Sequence, residues 1–312
     1  MEYVWLILGF VLLIKGADFF VDGASSVAAK LKVPSLIIGL TVVSIGTSLP
    51  EAAVSINASL EGANGISLGN VIGSNIFNLL MVVGISSIIL PIKTDKDILK
   101  RDMPLNIGFT VVLLMMLGNS YLGRWEAAVL LVLLVGYLFI LIRSALKSRE
   151  EAEKTKVLSW FMSILFIVIG GVAIFYGGEF VVNSAKTIAH NFGMSDTLIG
   201  LTVVAMGTSL PELVTSVVAA KKGNSGIAMG NVVGSCIFNI LFILGMAGVI
   251  SPMKADGAFF IDTGILLGVC GLMMLFAATK KKTGRTEGII CVLIYVAYTA
   301  YIIMRQYGIW IF

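Results

Sequence analysis

Apolar residues run along this chain in blocks of about twenty, separated by short polar connections, and that block length is what a helix needs to cross roughly 30 Å of hydrocarbon. Ten such blocks are predicted, at residues 3–23, 35–60, 65–91, 103–119, 122–143, 158–182, 195–220, 226–250, 258–279 and 286–306. The longest polar connection, residues 144–156 (SALKSREEAEKTK), lies midway and is too short to hold a folded domain.

Composition sharpens this. Of 312 residues, 58% are hydrophobic and 13% charged, far outside the range of a soluble domain. The net charge of +4 comes from basic residues beside the apolar blocks, with no stripe of the kind that binds nucleic acid. Cys236, Cys270 and Cys291 fall inside apolar blocks without metal-ligand spacing, which reads as buried small hydrophobes. The start, MEYVWLILGF, puts an acidic residue where a signal peptide needs basic ones, so it is expected to be a retained first membrane helix.

The second half repeats the first. Residues 39–51 (GLTVVSIGTSLPE) return 161 positions later at 200–212 (GLTVVAMGTSLPE), identical at eleven of thirteen positions. At the same offset, residues 69–78 (GNVIGSNIFN) match 230–239 (GNVVGSCIFN) at eight of ten. The expected units are a first five-helix repeat at 1–143, a cytoplasmic linker at 144–157 and a second repeat at 158–312.

Basic residues set the orientation. Seventeen share a side with the midpoint linker: Lys30, Lys32, Lys93, Lys96, Lys100, Arg101, Arg143, Lys147, Arg149, Lys154, Lys156, Lys221, Lys222, Lys280, Lys281, Lys282 and Arg285. Four lie opposite: Arg124, Lys186, Lys254 and Arg305. The bias puts the linker in the cytoplasm and both termini outside. Five spans per repeat is an odd number, so the second repeat enters the membrane upside down. The expected fold is an all-α membrane protein of ten transmembrane helices, arranged as two inverted five-helix repeats with broken helices at the midplane, a transporter signature.

Each signature stretch carries one glutamate, Glu51 or Glu212, inside an apolar block. Pro50 and Pro211 cannot donate a backbone hydrogen bond, and their rings crowd the carbonyls of Gly46 and Gly207, so a helix break is expected there. Carbonyls freed at that depth are tolerated where they line a cavity or bind something. Thr47, Ser48 and Glu51 are spaced to converge on one helix face, as are Thr208, Ser209 and Glu212. The following block of each repeat adds Ser74 and Asn78, or Ser235 and Asn239.

These are hard oxygen ligands, suited to calcium, which takes about six to eight oxygens at roughly 2.3–2.6 Å, or to sodium. Two bidentate glutamates and two threonine carbonyls would supply six. A transition metal would want imidazole or thiolate, and the only histidine, His190, is predicted to lie in a loop. Burying an acidic group at the bilayer centre costs roughly 2.5–3.5 kcal/mol. Doing so twice, symmetrically, points to a cation. Small residues at Gly69, Gly73, Gly230 and Gly234 read as helix-packing positions. Asp18 and Glu179 occupy matching positions and read as local structural partners, Asp18 with Lys15. Asn75 and Cys236 match in position but not in chemistry.

The paired GTSLPE and GN-x-x-GS-x-x-x-N stretches resemble the α-repeats of the cation/calcium exchanger superfamily, nearest to the prokaryotic sodium/calcium antiporters, over essentially the whole chain. The resemblance implies a secondary antiporter of the prokaryotic plasma membrane, not an enzyme. It would exchange sodium for calcium by alternating access, with spans one and six moving against the remainder. Glu51 and Glu212 would hold calcium, with Thr47 and Thr208 completing its shell through backbone oxygens. Ser48, Ser74, Ser209 and Ser235, with carbonyls near Ser44 and Ala205, would serve sodium, and Asn78 and Asn239 would flank the central position. Some prokaryotic members carry aspartate where this chain has Asn239. The expected partners are small cations and the lipid bilayer, with no cofactor, no nucleic acid and a functional monomer. The alternative within transport is proton/calcium antiport at the same site. A membrane hydrolase would use two carboxylates sharing a proton around a water, and it leaves the duplicated Thr, Ser and Asn residues unexplained.

The charge bias predicts that a reporter fused at Phe312 is external and one inserted near Glu151 is cytoplasmic. Finding both on one side of the membrane, by protease protection or reporter activity, would refute the inverted arrangement.

Overall fold

The computed structural model describes residues 1–147, 157–193, 205–255 and 257–307. They are helical almost throughout. The helices are α1 (Glu2–Leu31), α2 (Ser35–Thr47), α3 (Leu49–Leu60), α4 (Asn64–Ile89), α5 (Ile98–Asn119), α6 (Arg124–Lys147), α7 (Trp160–Asn191), α8 (Leu210–Lys221), α9 (Ser225–Ile250), α10 (Gly257–Lys280) and α11 (Arg285–Gln306). Among the described residues, eight of these are long and apolar enough to cross a membrane, and α2 with α3 forms a ninth candidate bent by 50°. The predicted seventh span is described only from Ala205 onward, and residues 148–156 of the predicted linker lie outside the described residues.

Two expectations are corrected. Helix α7 continues to Asn191, so His190 sits exposed in its last turn and not in a loop. Asp18 is 3.5 Å from Lys222 Nζ, which also reaches Asp22 at 2.7 Å, because α1 passes alongside the end of α8. Lys222 thereby takes the place expected of Lys15.

Two short antiparallel ladders tie the connections together. Ile92–Lys93 pairs with Lys282–Thr283, and Tyr121–Leu122 pairs with Met253–Lys254. Each ladder joins connections that the basic-residue count places on one side. Two arginines within the helices are paired with aspartates. Arg101 donates to both carboxylate oxygens of Asp102 at 2.9 Å, and Arg305 does the same to Asp262 at 2.9 and 2.8 Å.

Helices α1 and α7 pack face to face along a line of small residues. Gly9 lies against Gly177, Gly16 against Gly170 and Gly23 against Ser163, so one partner rises by seven as the other falls by seven and the helices run antiparallel. Seven residues return the same helix face after two turns. At the centre, a Cβ on Gly16 would lie 2.9 Å from the Gly170 carbonyl oxygen, and one on Gly170 would lie 2.6 Å from the Phe20 nitrogen. Only glycine permits this approach. Of the glycines expected to pack helices, Gly230 and Gly234 lie against the α2 backbone. Gly69 makes only an ordinary contact with Phe259, and Gly73 faces nothing within 4 Å among the described residues.

Gly170→Leu should therefore abolish folded protein, since the obstructing atoms are backbone and cannot move aside as a side chain would. Gly171→Ala, whose new Cβ would sit 3.6 Å from the Phe20 ring, should be tolerated within about 1 kcal/mol. Thermal stability of the detergent-solubilised variants distinguishes the pair, and equal tolerance of both would contradict the close α1–α7 contact.

Candidate ion-binding site

The two signature stretches break at equivalent serines. Ser48 has φ −86° and ψ 8°, and Ser209 has φ −94° and ψ 8°, both outside the helical region. Pro50 and Pro211 sit at the starts of α3 and α8, where the missing N–H costs nothing. Glu51 and Glu212 follow in the first turns, where the unpaired backbone amides favour a negative charge. Both glutamates are fully buried.

Their carboxylates are held crosswise. Ser48 Oγ donates to Glu212 Oε1 at 2.8 Å, and Ser209 Oγ donates to Glu51 Oε1 at 2.8 Å. Each serine thus serves the glutamate of the other signature stretch. Ser235 adds a longer contact to Glu212 Oε1 at 3.4 Å. The second oxygens, Glu51 Oε2 and Glu212 Oε2, are buried with no hydrogen-bond partner among the described residues. The same holds for Ser74 Oγ, for both polar atoms of Asn78 and for Asn239 Oδ1. No Lys, Arg or His among the described residues bonds either carboxylate.

The threonine side chains are occupied elsewhere. Thr47 Oγ1 donates to Asn231 Oδ1 at 2.9 Å, and Thr208 Oγ1 donates to Asn70 Oδ1 at 3.4 Å. The Ser44 carbonyl is already shared by Ser48 N at 3.0 Å, Thr47 Oγ1 at 3.3 Å and Ser235 Oγ at 3.5 Å. Ala205 opens the short helical turn Ala205–Gly207 that precedes the second break.

Two residues of this framework escaped the sequence reading. Asn70 donates to the Glu51 carbonyl at 3.2 Å and to Ser55 Oγ at 2.9 Å. Asn231 donates to the Glu212 carbonyl at 3.3 Å and to Ser216 Oγ at 3.0 Å. Each asparagine clamps the turn that carries a glutamate and reaches across to the opposite threonine. The signal was present, since both open the duplicated GN stretch. Asn78 and Asn239 each begin a π-helical turn, Asn78–Val82 and Asn239–Ile243, a widening common at functional sites.

Chemically, the site offers two carboxylates, hydroxyls and amide oxygens in a buried setting. Among the described residues no three of His, Cys, Asp and Glu gather as a metal-binding group, and the three cysteines are free and buried. The donor set fits a hard cation and not a soft one.

A membrane-embedded helical protein with such a donor set belongs among the cation transporters. The match to the sodium/calcium exchanger protein family spans residues 1–143 and 162–304, and the chain belongs to that family. It is 35% identical to the sodium/calcium exchanger MaX1 of Methanosarcina acetivorans, over 95% of this chain and 97% of that protein. It is 34% identical to the inner membrane protein YrbG of Escherichia coli, over 91% of each. Its fold matches the structure of the sodium-calcium exchanger NCX_Mj soaked with Na+ and Ca2+ with a TM-score of 0.85, at 35% identity, covering 96% of this chain and 97% of that one. These relatives are exchangers and membrane proteins, in keeping with a transporter of small cations.

The crossed pairs predict matched phenotypes for the serines. Ser48→Ala and Ser209→Ala should each lower apparent calcium affinity on the order of tenfold, the worth of one hydrogen bond to a charged group. Calcium titration of sodium-driven flux in vesicles checks this, and a silent serine would show that its crossed pair is not used.

Proposed function

We propose that this chain is a secondary antiporter that exchanges sodium for calcium by alternating access at one site shared by Glu51 and Glu212. The supporting observation is the crossed hydrogen bonding, Ser48 to Glu212 and Ser209 to Glu51, which leaves one oxygen of each buried carboxylate without a protein partner. A divalent cation placed between the glutamates would neutralise both charges. Thr47 and Thr208 would add carbonyl oxygens to its shell. Several sodium ions would instead draw on Ser48, Ser74, Ser209, Ser235 and the carbonyls near Ser44 and Ala205, with Asn78 and Asn239 at the centre. Because both modes require the same two carboxylates, the occupants exclude one another, and that exclusion couples the fluxes.

Architecturally, residues 1–143 and 158–312 form two inverted five-helix repeats joined by a cytoplasmic linker at 144–157. Reciprocal contacts separated by the 161-residue offset support this arrangement, in the crossed serines and in the pairing of Gly9 with Gly177 and Gly16 with Gly170. The protein would work as a monomer in the prokaryotic plasma membrane with both termini outside. Helices α1 and α7, joined by their glycine seam, would move together against the rest. An inward sodium gradient would then drive calcium outward.

The decisive variants are Glu51→Gln and Glu212→Gln, which keep shape and remove charge. Both should fold and both should lose sodium-driven calcium uptake by at least a hundredfold, to similar extents, measured per folded transporter in vesicles at clamped pH. Near-normal exchange in either variant would refute the shared site. Calcium flux that follows a proton gradient and ignores sodium would assign the same site to proton/calcium antiport.

A further inference from the structure

Helices α4 and α9 meet at Asn75 and Cys236, which occupy equivalent positions 161 residues apart. Asn75 Nδ2 donates to the Cys236 carbonyl at 3.1 Å, and Cys236 Sγ donates to the Asn75 carbonyl at 3.8 Å. Both residues are fully buried. A residue that contacts its own counterpart lies on the axis relating two repeats, so this pair marks the centre of the proposed inverted arrangement, at the one place in the matched stretch where the two copies differ in chemistry.

Donor and acceptor roles propagate outward from this pair. A backbone carbonyl only accepts, so the Asn75 amide nitrogen must face Cys236 and its Oδ1 must face away. That oxygen meets the Asn239 carboxamide at 3.0 Å and can only accept, so Asn239 must present Nδ2 to it. Asn239 Oδ1 is thereby turned away from Asn75, and it has no protein partner among the described residues. One turn earlier on the same face of α9, Ser235 reaches Glu212 Oε1, so Asn239 stands on the face directed at the glutamates. In the other half the residue equivalent to Asn75 is Cys236, which has no carboxamide to offer. Asn78 correspondingly has neither Nδ2 nor Oδ1 bonded among the described residues.

We propose that Asn75 is a positioning residue that locks Asn239 as a fixed oxygen donor, leaving Asn78 free to turn, so that a site built from near-identical repeats is functionally one-sided. A carboxamide presents oxygen to a cation in one orientation and a repelling amino group in the other. The locked Asn239 offers its oxygen without reorganisation, whereas Asn78 can present either group according to the occupant. This rests on the ion site proposed above, and it adds which of its two central asparagines carries the binding.

The test uses calcium binding at equilibrium to the purified full-length chain, with sodium competition, alongside exchange in vesicles. In the wild type, Asn239→Ala should weaken calcium binding roughly three- to tenfold more than Asn78→Ala, the range of one hydrogen bond's orienting effect. Asn75→Cys should erase that difference. The exchange double variant, Asn75→Cys with Cys236→Asn, keeps composition and core volume and moves the brace to Asn78. In that background the ranking should reverse, with Asn78→Ala the more damaging. A residue that only packs helices would not transfer the dependence from one asparagine to the other. An unchanged ranking in the double variant, with calcium binding and exchange intact, would overturn this inference alone. Absence of calcium binding or exchange in the wild type would overturn the site itself.

Discussion

Two fully buried glutamates in an apolar helical protein are the constraint to which the rest answers. An ionised carboxylate in hydrocarbon is unfavourable unless donors or a counter-charge accompany it. Here each carboxylate receives one short hydroxyl bond, from the serine at the other helix break, and lies in the first turn of a helix, where the helix dipole favours negative charge. These contacts are worth roughly 1.5–3 kcal/mol per charged hydrogen bond, which offsets only part of the desolvation of two charges. The remaining demand falls on something cationic, and no basic side chain among the described residues supplies it. In the proposed function the transported ion does.

The helix breaks and the clamping asparagines hold that pair in place. Pro50 and Pro211 set the breaks and place the glutamates in first turns. Asn70 and Asn231 then donate to the carbonyls of Glu51 and Glu212, which ties each glutamate-bearing turn to the following helix. The α1–α7 seam has a different character. Its closest approaches are backbone to backbone, flanked by side-chain contacts of Trp5 with Phe180, Phe19 with Phe166 and Ser26 with Ser163, and Lys222 ties α1 to the end of α8 through Asp18 and Asp22.

Near-symmetry also makes departures from it informative. Most partners recur at the 161-residue offset with the same chemistry: Ser48 and Ser209, Asn70 and Asn231, Ser55 and Ser216. Asn75 and Cys236 do not, and that single difference sets the orientation of one central asparagine while leaving its counterpart unheld. A one-residue change on an axis acts on both halves at once, and therefore cannot act on them equally.

Much was legible in the sequence because the physics is local. Block length identifies membrane helices, and the eight to nine candidate spans among the described residues keep to predicted blocks, with α1 and α7 running longer because their polar ends continue as helix beyond the apolar stretch. The Gly-to-Pro spacing of four marked the breaks, and a duplicated carboxylate inside an apolar block marked the candidate site. What the sequence could not determine were the partners that exist only when distant segments meet. Spacing along one helix brings Ser48 toward Glu51, yet the tertiary structure gives Ser48 to Glu212, because the two breaks face each other and each hydroxyl points across the gap. Asn70 and Asn231 look like ordinary polar residues in a packing motif until the opposite threonine arrives. The orientation of Asn239 has no local cause at all: it follows from a backbone carbonyl on another helix, passed on through the amide of Asn75.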